Sequence, residues 1–241
     1  MNNISYVSFA NTKYDLGCVR RQTKFLESLH NLFKDFKIYN EYDLKDDFND
    51  ILKYKNDYGF CYWAWKSYIL YNKIMKLNNN DFIMYCDCGC KFPNEIDEFE
   101  KDINDLCNKM IQEDKNIALT NCRVKNLCIC NKYLLHKMNL YHDNIFLKEY
   151  LHHQATIIIV RKTDEILSLL KQWWSFTKDN YMECIHLNYN NKNDGLPGYI
   201  HNGSDQAILQ CLLYKNKMNI LDINYLFCFK YKNFINHGNH Y

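Results

Sequence analysis

The chain has 241 residues, of which 47% are hydrophobic, and its 30 basic and 28 acidic residues give a formal net charge of +2. A chain of this size can bury a full core as one domain, and its seven Gly and two Pro exclude a fibrous or linker-dominated protein. The balanced charge offers no case for nucleic-acid binding, and no apolar run reaches the ~18 residues that a membrane span needs.

The first part of the chain predicts alternating strands and helices. A strand over 4–9 is followed by a helix over 18–36, a second strand over 36–42 and a charged, helical surface piece over 43–58. Together with the strand described next, this order is typical of a parallel sheet with crossover helices.

A central helix and a buried strand come next. The helix is predicted over 62–77, because no Pro or Gly interrupts it and apolar residues recur at helical spacing. The strand over 81–87 is apolar on both faces, which suits an open α/β sheet covered on both sides. It ends at Asp87, with Gly89 two residues on. Open sheets bind ligands at the carboxyl ends of their strands, so Asp87 is a candidate ligand for a hard divalent ion that bridges to phosphate oxygens.

The second half of the chain predicts further strands and helices without a repeat or a linker, so one domain over 1–241 is the simplest organisation. The remaining predicted elements are a helix pair over 93–110, a strand over 116–120, an irregular segment over 122–139, a strand over 154–160, a helix over 164–177, a long connection over 181–202, a helix from Ser204 and a strand over 219–223.

The twelve Cys are expected to be mostly reduced and buried, because the short, polar start of the chain does not resemble a signal peptide and a cytoplasmic setting follows. Cys86, Cys88 and Cys90 alternate along a strand end, and Cys128 and Cys130 form another Cys-x-Cys. This spacing matches a zinc site poorly. On a strand these residues point away from Asp87. Core packing is favoured, and a soft-metal site is the alternative.

Three further sites could carry chemistry. Lys66 follows Trp65 on the central helix and faces either solvent or the oxygens of a phosphate or sugar. Asp205 and Gln206 start a later helix, where an Asp often only complements the helix dipole. His237, close to the end of the chain, is either exposed or a ligand.

The order of these features along the chain is more specific than any one of them. A Trp-x-Trp-Lys helix, a Tyr-x-Asp-x-Gly strand end, a Gln-Ala-Thr-Ile-Ile-Ile strand and a His-x-x-x-Asp-Gln helix follow one another. This series resembles a group of nucleotide-sugar-dependent glycosyltransferases with the glycosyltransferase-A fold, known from bacteria and large DNA viruses. It is more distantly similar to glycogenin and bacterial galactosyltransferases. The resemblance implies an α/β fold: a single domain with a mostly parallel central sheet flanked by helices.

The resemblance also implies roles for individual residues. Lys66, beside Trp65, would contact the donor sugar or its diphosphate, and Gln154 would contact the sugar. Asp205 and Gln206 would line the reaction centre.

The implied metal site would use Asp87 and His237 to hold Mn²⁺ or Mg²⁺. The sequence departs from the Asp-x-Asp motif of the family, since Gly89 replaces the second carboxylate. Ion binding is then expected to depend more on water, diphosphate and His237.

The implied reaction moves a hexose from a UDP-sugar to a hydroxyl of a glycan or glycoprotein, with retention of configuration. One candidate acceptor is galactosyl-hydroxylysine on a collagen-like chain. A homodimer remains open. The alternatives are a catalytically inactive sugar-nucleotide-binding or scaffold protein of the same fold, and a cysteine-metal protein.

Overall fold

The computed structural model describes residues 2–13, 16–29, 31–44, 46–56, 59–186 and 192–231. These residues build one six-stranded sheet with the order β2-β1-β3-β5-β4-β6. β1 runs parallel to β2 and β3, β4 runs parallel to β6, and β5 is antiparallel to both of its neighbours. The predicted α/β fold with a mostly parallel sheet is confirmed, because five of these strands share one direction.

The strands and helices have the following bounds. The strands are β1 Ile4–Phe9, β2 Phe33–Tyr39, β3 Phe82–Cys86, β4 Ile117–Lys125, β5 Leu151–Arg161 and β6 Ile220–Asp222. The helical elements are α1 Leu16–Ser28, α2 Asn49–Leu52, α3 Gly59–Tyr62, α4 Trp65–Ile74, α5 Ile96–Gln112, α6 Lys132–Lys137, α7 Asp164–Tyr181 and α8 Ser204–Lys215.

Several boundaries differ from the sequence-based expectation. α1 ends at Ser28 and β2 begins at Phe33, so the predicted first helix was too long. The predicted helix pair over 93–110 is one helix, α5. The segment over 122–139 was expected to be irregular, but it contains the end of β4 and the short helix α6, whose first turn is capped by the Asn131 side chain.

Helices cover both faces of the sheet. Apolar side chains of α4, α7 and α8 pack on one face, together with Val7, Ile83 and Ile158 of the strands. Those of α1 and α5 pack on the other face. Neighbouring residues of β3 therefore enter different cores, which explains why its sequence is apolar throughout.

Cys86, the last residue of β3, faces away from Asp87 as predicted, whereas Cys88 and Cys90 follow the strand in a turn, so the predicted alternation along a strand is wrong for these two. Cys86 and Cys90 belong to the core beneath α1 and α5, whereas Tyr85 belongs to the core beneath α4. No disulfide bond joins the eleven cysteines whose side chains the structure describes. Within those ranges, no three His, Cys, Asp or Glu side chains converge as a metal site. No helix there has the length and apolarity needed to cross a bilayer.

Candidate active site

The candidate site lies at the carboxyl edge of the sheet, where Asp87 follows β3. The strand order reverses here, since β2 lies on one side of β1 and β3 on the other, and such positions form ligand crevices. Because β5 is antiparallel to β3, its first half lies at this edge too. The backbone N–H of Asp87 donates to the carbonyl of Thr156 at 2.9 Å and extends the pairing by one residue.

A buried ion cluster occupies this edge. Lys66 of α4 is only 5% exposed. Its Nζ lies 3.1 Å from Asp87 Oδ1 and 3.7 Å from Asp205 Oδ2. It also donates to the carbonyl oxygen of Ala155 at 3.1 Å. Elements that are far apart in sequence thus place one ammonium group between two carboxylates, and the solvated alternative for Lys66 is excluded.

The charges of the cluster affect its lysine and Asp205 differently. Burial alone would lower the pKa of Lys66, but Asp87 and Asp205 outweigh burial and raise the pKa, so the ammonium stays charged. Burial raises the pKa of Asp205 to about 7; the charge of Asp87 adds to this increase and that of Lys66 opposes it. Asp205 Oδ2 is buried and accepts no hydrogen bond from the described residues. Asp205 can therefore exchange a proton near neutral pH.

Aromatic rings complete the setting of Lys66. Its Nζ lies 5.7 Å from the ring centre of Trp65 and 5.6 Å from that of Tyr85, within the range of cation–π attraction. The Tyr85 hydroxyl donates a short hydrogen bond to Asp87 Oδ1. Burial, and secondarily Asp87, raise the pKa of Tyr85 well above its ordinary value, so this donor stays neutral. Trp65 is buried and stacks on Phe9 with ring centres 4.3 Å apart, so it supports Lys66 from the core.

Asp205 is held at the start of α8 by contacts to its backbone. The indole Nε1 of Trp173 donates to the Asp205 carbonyl at 3.1 Å. The preceding residue, Ser204, has φ +49° and donates its N–H to Asn202 Oδ1 at 3.1 Å. The Asn202 amide in turn donates to the Cys184 carbonyl at 2.8 Å. The helix start is thereby fixed against α7 and the turn that follows it.

Gln206 joins the same edge through the backbone of β5. Its Oε1 accepts from the Ala155 N–H at 3.0 Å, and its Nε2 lies 2.6 Å from His152 Nε2. The register between β4 and β5 shifts in this segment, and bulges are frequent beside active sites. Both backbone groups of Ala155 are bonded to site side chains, the N–H to Gln206 and the carbonyl to Lys66.

The other predicted site residues are placed less directly. Gln154 is adjacent to Ala155, but its Oε1 accepts from Thr120 Oγ1 of β4 at 3.1 Å. His237 lies outside the described residues. The substrate contacts assigned to Lys66, Asp205 and the other predicted site residues stay predictions.

The described residues supply a modest donor set for a divalent ion. Asp87 keeps 17% of its side chain exposed, whereas Asp205 is nearly closed off. Magnesium-type ions often bind through one or two carboxylates together with substrate phosphates. Asp87 fits that pattern, and the remaining ligands would have to come from a bound phosphate group and water.

A left-handed turn fixes the start of α4. Gly59 and the four following residues, through Trp63, have φ between +47° and +63°, although the sequence predicted a helix from residue 62. A Cβ on Gly59 would lie 2.6 Å from Trp63 Cε2, so this position requires glycine. Each non-glycine residue in this conformation costs ~1–2 kcal/mol, and such strain is concentrated at functional sites. The turn brings Trp65 and Lys66 to the sheet edge.

Sequence reasoning missed three contributors to the site. Tyr85 could have been found, since it lies two residues before Asp87 and so shares its strand face. His152 and Asn126 had no signal, because the contacts that bring them to Gln206 span 54 and 26 residues.

Comparisons with known proteins give similarity in structure alone. No family model matches the chain, and no curated protein is similar to it in sequence. Mouse xyloside xylosyltransferase 1 aligns with 93% of this chain and 85% of its own, at 9% identity and a TM-score of 0.47. A glycosyltransferase involved in glycosylation of the major capsid of PBCV-1 aligns with 92% of this chain and 82% of its own, at 12% identity and a TM-score of 0.44. The galactosyltransferase LgtC aligns with 92% of this chain and 73% of its own, at 11% identity and a TM-score of 0.40.

All three solved structures are glycosyltransferases, the enzyme class that the ordered motifs resemble. TM-scores below 0.5 do not assign a family or an activity. The function must therefore be inferred from the residues of this chain.

Proposed function

We propose that the chain is a glycosyltransferase that moves a hexose from a UDP-sugar to an acceptor hydroxyl with retention of configuration. The observation that carries this proposal is the buried Lys66 between Asp87 and Asp205 at the carboxyl edge of the sheet. A fixed, desolvated cation next to Asp205, whose Oδ2 accepts no hydrogen bond from the described residues, suits a reaction in which an anionic leaving group departs.

Lys66 is assigned to the leaving diphosphate. Its ammonium is held by Asp87, Asp205 and the Ala155 carbonyl, so little reorganisation is needed when negative charge develops on the leaving oxygen. A Mn²⁺ or Mg²⁺ ion held by Asp87 would supply further Lewis-acid stabilisation of that charge. His237 is proposed as a second protein ligand to this ion.

Asp205 and Gln206 are assigned to the sugar and the reaction centre. Asp205 Oδ2 has no hydrogen-bond donor among the described residues and can accept from a sugar hydroxyl. Gln206 lies beside it and is partly exposed. Gln154, next to Ala155, is proposed to contact the sugar, and a glycan or galactosyl-hydroxylysine is proposed as the acceptor.

A second candidate is a sugar-nucleotide-binding protein without catalysis. The observation that favours it is Gly89, which replaces the second carboxylate of the family motif. Both candidates predict donor binding, and only the first predicts turnover.

Thermal unfolding with a panel of nucleotide sugars, with and without Mn²⁺, separates these outcomes. A donor present at ~100 times its Kd stabilises the native state by about 2.7 kcal/mol. We expect stabilisation by UDP-sugars that increases with Mn²⁺, and release of UDP when an acceptor is added. Stabilisation without UDP release, across a panel of glycan acceptors, supports the inactive alternative. If no nucleotide sugar stabilises the chain, both candidates are wrong.

The metal ligands are tested separately by calorimetry. If Asp87 and the diphosphate share one ion, Mn²⁺ should bind weakly alone and more tightly with UDP, and UDP affinity should rise by the same factor with Mn²⁺. His237→Ala should weaken Mn²⁺ binding in the presence of UDP, whereas the same substitution at His240, the other histidine three residues further on, should not. Equal Mn²⁺ affinity with and without UDP contradicts the shared ion, and an unchanged His237→Ala variant removes the tail ligand.

A further inference from the structure

A chain of hydrogen bonds leads from the protein interior to Gln206 and begins at Asn126. This side chain is completely buried. Its Nδ2 donates to the carbonyl oxygens of Phe146 at 2.8 Å and Tyr150 at 2.9 Å. Carbonyl oxygens only accept, so the amide orientation of Asn126 is determined and its Oδ1 must face His152.

The orientation of Asn126 sets the tautomer of His152. Nδ1 of His152 lies 2.7 Å from Asn126 Oδ1. An amide oxygen only accepts, so the proton of the neutral imidazole must be on Nδ1. Nε2 then carries a lone pair and can only accept.

The tautomer of His152 in turn sets the orientation of Gln206. The partner of His152 Nε2, at 2.6 Å, must be the Nε2 donor of Gln206, and Gln206 Oε1 accepts from the Ala155 N–H at 3.0 Å. A flipped carboxamide would place oxygen against the lone pair of His152 and NH₂ against an N–H. Both ends of the amide therefore exclude the flip.

The surroundings of His152 keep it neutral. Burial lowers the pKa of His152 to about 3, and the neighbouring His153 and His201 act in the same direction. No carboxylate is among the groups that shift it. The imidazole thus keeps one tautomer over the whole neutral range, which a donor–acceptor relay requires.

We propose that Asn126 and His152 are positioning residues that fix the Gln206 carboxamide at the reaction centre. This inference rests on the proposed function, in which Gln206 faces the reacting sugar. The alternative is that His152 only fills space beneath α8, and the experiments below give different results for the two.

The first experiment measures the tautomer directly. Side-chain nitrogen NMR of the histidine-labelled, full-length protein, with the His152 signal identified by its absence in His152→Gln, should give a neutral imidazole protonated at Nδ1 and unchanged between pH 5 and 8. Protonation at Nε2, or titration in this range, overturns the proposal. This measurement needs neither donor nor acceptor.

The second experiment compares the kinetics of three variants. His152→Met introduces an apolar side chain of similar size and removes the acceptor, and we expect kcat to fall ~10–100-fold with little change in donor KM. His152→Gln supplies an amide oxygen that can accept from Gln206. Its kcat should lie between that of His152→Met and that of the wild type. A space-filling role predicts the reverse order, because the apolar side chain is the better core residue.

His153→Met is the matched control. His153 is the next residue on β5 and is half-buried, its Nδ1 lies 3.3 Å from Gln210 Oε1 of α8, and no hydrogen bond joins its ring to Gln206. We expect a kcat within about twofold of wild type. An equal loss in His153→Met and His152→Met overturns the positioning role.

Failure of this inference is distinguishable from failure of the proposed function. If the wild type transfers sugar and His152→Met is as active, the function stands and the inference is wrong. If no sugar is transferred but the Nδ1 tautomer is found, the hydrogen-bonded chain stands and the proposed reaction is wrong.

Discussion

The two ends of β3 both place a carboxylate in a buried setting, and they treat it differently. At the amino end, Asp81 accepts from Asn3 Nδ2 at 3.1 Å with one oxygen and from the Asn78 N–H at 3.1 Å with the other. At the carboxyl end, Asp87 and Asp205 share one ammonium, and Asp205 Oδ2 has no hydrogen bond from the described residues. Both Asp81 and Asp205 are at most 5% exposed.

The difference separates a structural carboxylate from a functional one. A buried polar group whose oxygens are all bonded anchors the chain locally. A carboxylate that is buried with its bonding incomplete reduces stability, and proteins retain such groups where function needs them. Substitution of the carboxylate should therefore have different effects at the two ends: lower stability at Asp81, loss of activity at Asp87 and a pH-dependent change in stability at Asp205.

The largest effect is expected for Lys66→Met. Removal of the ammonium leaves Asp87 and Asp205 without their buried counter-ion, which typically costs ~3–5 kcal/mol. The loss should grow as pH rises through neutrality, because Asp205 then ionises next to Asp87. Turnover should fall as well. Thermal unfolding at pH 5.5 and 8 measures the first effect, and UDP release the second.

Lys73→Met is the control for Lys66, since it lies on the same helix and pairs with Asp35, whose side chain is half exposed. Pairs of this kind contribute ~0–1 kcal/mol, so this variant should remain close to wild type at both pH values. If Lys66→Met and Lys73→Met unfold at the same temperature, Lys66 does not act as the buried counter-ion of Asp87 and Asp205.

The next largest effects are expected for Asp81→Asn and Asp87→Asn, which should lose stability and activity, respectively. Asp81→Asn places an NH₂ against one of two donors and should cost ~1–3 kcal/mol of stability, with specific activity unchanged. Asp87→Asn should abolish Mn²⁺-dependent turnover while the fold persists. Urea unfolding and initial rates of the two variants test this difference between stability and activity. An inactive but stable Asp81→Asn would contradict it.

Asp205→Asn is expected to change stability in the opposite direction. With a folded-state pKa of about 7 against an ordinary value of 3.8, folded Asp205 holds a proton that the unfolded chain has released. Its contribution is therefore lost as pH rises from about 4 to about 7. Asn carries no such penalty, so the variant should match wild type near pH 4 and be more stable at pH 8, by at most about 4 kcal/mol. A stability difference independent of pH would argue against the raised pKa.

Elements with a regular apolar pattern could be predicted from the sequence. β1, β3 and β5 appear where alternating or continuous apolar runs occur, because burial on one or both faces dictates those patterns. The placement of Asp87 at a strand end, opposite to Cys86, followed from the period of a strand alone. The burial of Lys66 did not follow, since its two carboxylate partners lie 21 and 139 residues away.

The features that were missed depend on long-range contacts or on unusual backbone geometry. The left-handed residues from Gly59 to Trp63 have a helix-compatible sequence, and only the packing of Trp63 and Trp65 against Gly59 explains their conformation. The role of His152 depends on Asn126 and Gln206, which no spacing rule connects. Local sequence therefore identified the candidate residues, and tertiary structure determined how they are charged and oriented.

The position of β5 in the sheet also has a consequence during synthesis. Within the described part of the chain, β4 pairs with β5 and β6 alone, and both of these strands follow it in sequence. β5 ends at Arg161, some 75 residues after β3 ends at Cys86. At 5–20 residues per second this is a delay of roughly 4–15 s. During that time β3 lacks the partner strand on one of its edges. An apolar strand with an unpaired edge is prone to aggregation. The nascent chain should therefore need a chaperone most between the synthesis of β3 and the synthesis of β5.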